Sequence, residues 1–434
     1  MQFYSTNNPD LKVDLKEAVI RSLPADNGLY MPETITPLPE SFWKKWRSLS
    51  FADLGYEIAS HFFQGSIPEN DLKEIVSDAI NFDAPIVPLT DQSFVLELFH
   101  GPTLAFKDFG ARFMARLMAY LTKDDDQELT VLVATSGDTG GAVASAFHHV
   151  EGTKVIILYP KGGVSDLQEK QLTTLGANIS ALEVEGSFDD CQRMVKACFL
   201  DTELSKKHNL TSANSINISR LLPQSFYYFH AARQLLDRNE NAQPTFVIPS
   251  GNFGNLTAGL FAQQMGLPIR QFVAATNLND VVPRYLADGE YSPQPSIATI
   301  SNAMDVGAPS NFARMQHIFG DDWESMRESV SGLAFDDDET RDAIKAVKEL
   351  YGYTIDPHGA IGWLASQIWQ EAVTDSHTII LETAHPSKFI DTMDEELGKG
   401  TTDIPERLAC LAGLEKVAKT VKPDPQEVID FLES

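Results

Sequence analysis

From Phe94 onward, short apolar runs rich in β-branched and aromatic residues alternate with stretches of helical periodicity, and that alternation admits few folds. The runs are FVLELF ending at Phe99, TVLVAT at Thr135, KVIILYP at Pro160, FVIPS at Ser250, QFVAAT at Thr276 and TIILET at Thr383. Strands this apolar have no face to offer water, so both faces must be covered, and the intervening helices do the covering. The pattern predicts an α/β core built on mostly parallel sheet. Nearly every run ends in small or polar residues, as in SGDTGG, SGNFGN, NLND and AHPSK. Loops at the carboxyl ends of strands are where open α/β sheets bind ligands, so the chemistry is expected there.

The flanking segments read differently. Pro32, Pro37 and Pro39 punctuate an early loop and helical periodicity runs from Phe51 to Ile80, which predicts a mainly helical N-terminal unit over residues 1–90. The catalytic core is expected over 91–395. The charge-rich stretch 396–434, with Pro423 and Pro425, reads as a helical extension. Acidic runs at Asp124 and Asp336 read as solvated loops. With 61 acidic against 34 basic residues the formal charge is -27, which argues against nucleic acid or anionic membrane as partners. An anionic substrate would need a locally positive pocket. No apolar run approaches the ~20 residues of a membrane span. The opening MQFYSTNNPDLKVD lacks the pattern of a signal peptide, so a cytoplasmic protein is expected. Cys191, Cys198 and Cys410 form no CxxC pair and read as reduced thiols, the first two on one helix face. His148 and His149, placed on a helix, lack the spacing of a zinc pair, and no metal is expected.

HGPTLAFKDFG, His100 to Gly110, sets Lys107 where a strand hands over to a helix carrying Phe109, Phe113, Met114, Leu117 and Met118 at helical spacing. Ala105, Phe106 and Phe109 crowd the amine, and desolvation favours the neutral form that attacks an aldehyde. PSGNFGN, Pro249 to Asn255, is a glycine loop ahead of a helical stretch. Backbone N–H groups at a helix start hold a phosphate without a basic side chain, and a side chain at Gly251 or Gly254 would obstruct that approach. The loop has neither GxGxxG nor GK[ST], so its letters do not indicate a nucleotide. TSGDTGGA, Thr135 to Ala142, sets Ser136, Asp138 and Thr139 beside backbone donors and suits a carboxylate, although a helix cap would use the same residues. NSINISR, Asn214 to Arg220, offers a guanidinium fork matched to phosphate. Read alone, it is equally a capped helix with a surface arginine.

These ordered motifs, spread over nearly the whole chain, resemble those of the threonine synthase family in its longer microbial type. HGPTLAFKDFG is similar to the family's cofactor-lysine motif, and ETAHPSKF to its closing strand. The resemblance implies fold type II: two open twisted α/β lobes with pyridoxal phosphate between them. It implies Lys107 as the catalytic, cofactor-bearing lysine, with Gly251, Asn252, Phe253, Gly254 and Asn255 cupping the cofactor phosphate. Thr383 would face the pyridine nitrogen, and Asp138 would stand where related enzymes often place an asparagine against the ring oxygen. Thr135, Ser136, Gly137 and Thr139 would line the substrate, and Asn214, Ser215 and Arg220 would bind the phosphate of O-phosphohomoserine, which the family converts to threonine and phosphate. The nearest alternative is a serine or threonine dehydratase of the same cofactor class. Such an enzyme has no use for a second phosphate pocket, so NSINISR discriminates. A Rossmann-type nucleotide binder shares the sheet pattern. A small molecule is the expected partner, and the chain is expected to be a monomer or a homodimer.

Overall fold

The computed structural model describes all 434 residues, and each of the apolar runs contains a strand. They are Ser93–Glu97, Leu129–Ala134, Thr153–Pro160, Pro244–Pro249, Gln271–Thr276 and His377–Glu382. They fall into two sheets. One has six strands in the order Val330–Ala334, Gln271–Thr276, Pro244–Pro249, His377–Glu382, Ser93–Glu97 and Ile86–Pro88, parallel except for the last pair. The other has five parallel strands in the order Lys419–Val421, Ile179–Val184, Thr153–Pro160, Leu129–Ala134 and Leu210–Ser212. Leu129–Ala134, Pro244–Pro249 and Gln271–Thr276 are buried at every position, as strands covered on both faces must be.

The chain gathers into two compact units, each assembled from separated segments. One holds Met1–Pro32, Lys107–Arg220 and Ile404–Ser434 with the five-stranded sheet; the other holds Glu33–Phe106 and Leu221–Asp403 with the six-stranded sheet. This grouping cuts across the linear division at residues 90 and 395. The first unit packs Leu132, Ile156, Leu182, Met194 and Val421 into its core, with Cys191 and Cys198 on the buried face of the helix Phe188–Leu200. Burial pushes those thiols up to about 12 and about 11, so they stay protonated and unreactive. The second unit packs Val247, Val273, Ile344, Ile361 and Ile380.

Several local expectations need correction. The N-terminal segment, besides the helices Phe51–Phe63 and Glu69–Ala79, carries a three-stranded antiparallel sheet of Asn8–Asp14, Gln2–Ser5 and Tyr30–Pro32. The tail is not wholly helical either. Lys419–Val421 pairs with Ile179–Val184, and Lys416 reaches Glu169 at 2.7 Å and Glu183 at 2.5 Å. Asp336 is no loop residue. It caps the helix Asp337–Tyr351 in a capping box with Glu339, because acidic groups suit the positive end of a helix. His148 and His149 lie just past the helix Asp138–Phe147, His149 with φ of 60°.

Candidate active site

In the first unit the candidate residues stand at the carboxyl ends of neighbouring parallel strands. After Leu129–Ala134, the Thr135 hydroxyl accepts from the Gly137 N–H at 3.0 Å and the Gly140 N–H at 2.8 Å, so this side chain shapes the loop. Gly137 has φ of 129°, and a Cβ there would stand 2.7 Å from the Gln168 side chain. Gln168 in turn donates to Asp138 Oδ1 at 2.9 Å, committing one oxygen of that buried carboxylate to holding the loop. The helix Asp138–Phe147 has no side-chain cap, leaving its first turn to Ser136, Thr139 and backbone, both side chains half-buried.

The loop after Leu210–Ser212 meets the same strand ends. Asn214 Nδ2 donates to the Ala134 carbonyl at 2.8 Å, joining NSINISR to TSGDTGGA. Asn217, which sequence reasoning passed over, is fully buried and donates to the Val19 carbonyl at 2.8 Å while accepting from the Ser219 hydroxyl at 2.7 Å. Arg220 is only 3% exposed and donates to the Ala213 carbonyl at 2.7 Å, which overturns the surface-arginine reading. Burial pushes its guanidinium down to about 10, against the nearby charge of Asp108. Asp108, the residue after Lys107, is itself buried, and its charge also bears on Arg407. The helix Lys107–Thr122, which begins at the half-buried Lys107, packs on the turn Ile218–Arg220. The first unit thus brings Lys107, the Thr135–Thr139 loop and the Asn214–Arg220 loop together.

The second unit holds the remaining candidates. In PSGNFGN, Ser250 donates to Asn255 Oδ1 at 2.9 Å, Asn255 donates to the Pro249 carbonyl at 2.9 Å, and Tyr228 donates to the Asn255 carbonyl at 2.7 Å. Phe253 takes a left-handed conformation, φ 58°, and the helix Gly254–Gln264 starts without a side-chain cap. Asn252 is pinned from outside. Its Oδ1 accepts the Ser310 N–H at 2.5 Å and its carbonyl accepts Asn311 Nδ2 at 3.0 Å. Asn311 also accepts from the fully buried Arg314 at 2.7 Å. A Cβ on Gly251 would stand 2.7 Å from Met304 Cα, so protein backbone alone already demands that glycine. Thr383, at the end of the neighbouring strand, is buried, and its carbonyl accepts the N–H of Phe106, the residue before Lys107, at 2.8 Å. Ala105 bridges Ala384, the His385 N–H donates to the Leu104 carbonyl, and the buried Lys388 donates to the Thr103 carbonyl at 2.9 Å. HGPTLAF and ETAHPSK are therefore one clamped assembly. Lys388 was legible only as the lysine of its motif, with no sign of that role.

Family models match along the chain: "Threonine synthase N terminus" over residues 2–80, "Pyridoxal-phosphate dependent enzyme" over 82–381 and "Threonine synthase, C-terminal" over 359–432. The threonine synthase of Escherichia coli is 42% identical, covering 98% of this chain and 97% of its own length. Its crystal structure has a TM-score of 0.94 at 41% identity, covering 100% of this chain and 99% of that one. A pyridoxal-phosphate-bound threonine synthase from Brucella melitensis has a TM-score of 0.91 at 34% identity, covering 100% and 98%. The cofactor of this fold is pyridoxal phosphate. The chain belongs to the threonine synthase family.

Proposed function

We propose that this chain converts O-phosphohomoserine and water to threonine and phosphate. The observation that carries the reading is the buried Arg220, joined through Asn214 to the Thr135–Thr139 loop, a cationic site separate in sequence from the glycine loop and suited to a second phosphate. Two anion sites fit a phosphorylated substrate on a phosphorylated cofactor; a dehydratase needs one. The residues present fit pyridoxal phosphate, since the uncapped start of Gly254–Gln264 offers backbone N–H groups and a helix dipole to a phosphate. When bound, pyridoxal phosphate supplies the electron sink for charge developing on the substrate carbons. In this reading Gly251, Asn252, Phe253, Gly254 and Asn255 hold its phosphate, Lys107 supplies the attaching amine, and Thr383 faces the pyridine nitrogen as a neutral partner. Asp138, held by Gln168, lies beside the ring. Thr135, through the fold it imposes on Ser136, Gly137 and Thr139, orients the substrate carboxylate.

The chain's own chemistry is then proton traffic and recognition. The Lys107 amine takes a proton from Cα and moves protons at Cβ, close enough in pKa to do both when partly desolvated. Arg220, with Asn214 and Ser215, holds the departing phosphate at Cγ; Cγ ends as a methyl group and water adds at Cβ. No helix is long and apolar enough to cross a membrane, and we place the enzyme in the cytoplasm as a monomer or homodimer. The test is to load the purified protein with pyridoxal phosphate and measure phosphate release and threonine formation from O-phosphohomoserine, beside ketoacid formation from serine and threonine. Equal phosphate and threonine support the reading. Ketoacid from unphosphorylated substrates, with no phosphate released, would return the dehydratase.

A further inference from the structure

Glu382 and Glu97 are register partners on adjacent parallel strands of the six-stranded sheet, so two carboxyls leave the same face side by side. Glu97 has outlets. Its Oε1 accepts the Tyr353 hydroxyl at 3.0 Å and its Oε2 meets His100 at 2.8 Å. Glu382 has none, being fully buried. Its Oε1 accepts the Asp356 N–H at 2.7 Å, while Oε2 has no partner and occupies the place where a Cβ on Gly359 would stand, 1.6 Å away. The helix Pro357–Ala372 is already capped by Asp356, whose Oδ1 accepts the Gly359 N–H at 2.6 Å and whose Oδ2 bonds His358 Nδ1 at 2.9 Å. The groups facing Glu382 are therefore Asp356 and His358 on that helix, Tyr353 before it, and Glu97 with His100 on the neighbouring strand end, with Asp305 beyond His358.

We propose that Glu382 is a positioning residue, an undissociated carboxylic acid that ties the first turn of Pro357–Ala372 to the strand end carrying Thr383 and so holds Thr383 in place for the cofactor. Two carboxylates already flank this enclosed site, and a third cannot ionise beside them without solvent. Burial first, and the charge of Asp356 second, raise Glu382 well above the usual carboxylate range. A neutral carboxyl keeps the bond from Asp356 N–H and needs no counter-charge. Ionised, it would be repelled by Asp356 and Glu97 and would pull the strand end, Thr383 included, out of register. The inference rests on the reading of Thr383 as the residue facing the pyridine nitrogen.

Glu382→Gln, Glu382→Ala, Asp356→Asn and Thr383→Ala separate the alternatives. In the cofactor-free protein, the raised carboxyl holds a proton that the unfolded chain has lost. Stability therefore falls as pH rises from the ordinary glutamate range towards the folded value, and the unfolding constant grows up to about tenfold per pH unit faster than in Glu382→Gln. An equal pH slope in the two proteins would overturn the proposal. In the loaded enzyme, Glu382→Gln should recover most of the turnover that Glu382→Ala loses and should carry activity and the cofactor absorbance to higher pH. A flattened stability profile with an unchanged alkaline limb of activity and spectrum would make Glu382 a structural acid only, and overturns the positioning role. Should Glu382→Gln fail to fold, Asp356→Asn removes a facing charge and must shift the alkaline limb to lower pH; no shift overturns the proposal. If instead Thr383→Ala leaves absorbance and turnover intact, the cofactor reading of Thr383 has failed, whatever Glu382 does.

Discussion

At the scale of single residues, a side chain's job is set by what else it is already holding. Lys107 heads its helix half-buried, and the proposed reaction gives it both covalent attachment and proton transfer. Lys107→Ala should therefore lose turnover by roughly a thousandfold or more. Borohydride reduction followed by mass spectrometry checks it: the cofactor mass should sit on the peptide containing Lys107 in the parent and on no peptide in the variant. Arg220 has a double task, since one nitrogen pins the Ala213 carbonyl while the cation serves a phosphate. Arg220→Gln should cut kcat/KM for O-phosphohomoserine by roughly tenfold to a few hundredfold, the loss of a charge-assisted bond worth about 1.5 to 3 kcal/mol. Cofactor absorbance should be unchanged. Comparable loss on an unphosphorylated amino acid would assign Arg220 to folding instead.

At the scale of elements, the loops at strand ends are held by protein before any ligand arrives. Gly251 is the clearest case, because a methyl group there meets the backbone of Met304 at 2.7 Å, and backbone cannot rotate aside. The sequence reading gave this glycine to phosphate approach; the packing gives it to the Asn302–Met304 turn as well. Gly251→Ala should lower Tm, with a cost of about 1–3 kcal/mol from overpacking, and should weaken pyridoxal phosphate binding in the same variant. Thermal melts of the cofactor-free protein beside a cofactor titration check both. Normal melting with weakened binding would mean the loop yields locally and the glycine serves the ligand alone.

At the scale of the whole molecule, the chain leaves each unit and returns to it. The tail comes back to Ile179–Val184 with Val421 buried, Thr420 donating to Glu183 at 2.9 Å and Val428 and Leu432 in the core. The C-terminal segment thus closes the edge of the sheet whose inner strand carries TSGDTGGA. Val421→Asp would bury an unpaired charge at that edge and should destabilise the protein by roughly 3–5 kcal/mol. Denaturant unfolding measures it. A shift within error of zero would mean the tail is docked too loosely to matter to the sheet.

What the chain's letters determined by themselves is whatever depends on neighbours in sequence. Continuous apolar runs demand two covered faces, so Leu129–Ala134 and Pro244–Pro249 were readable as inner strands, and the polar residues closing each run marked where loops bind. Short or edge strands were not readable. Lys419–Val421 has three residues, and Ile179–Val184 interrupts its apolar run with Ser180 and Glu183, tolerable only because Lys416 and Thr420 come from the far end of the chain to meet that glutamate. Only tertiary structure decided the long-range roles: Gln168 holding Asp138, Lys388 locking Thr103, and Glu382 set against Glu97 and Asp356. Each depends on the free energy of burying a polar group, and that energy is fixed by partners brought in from distant segments, which no local pattern encodes.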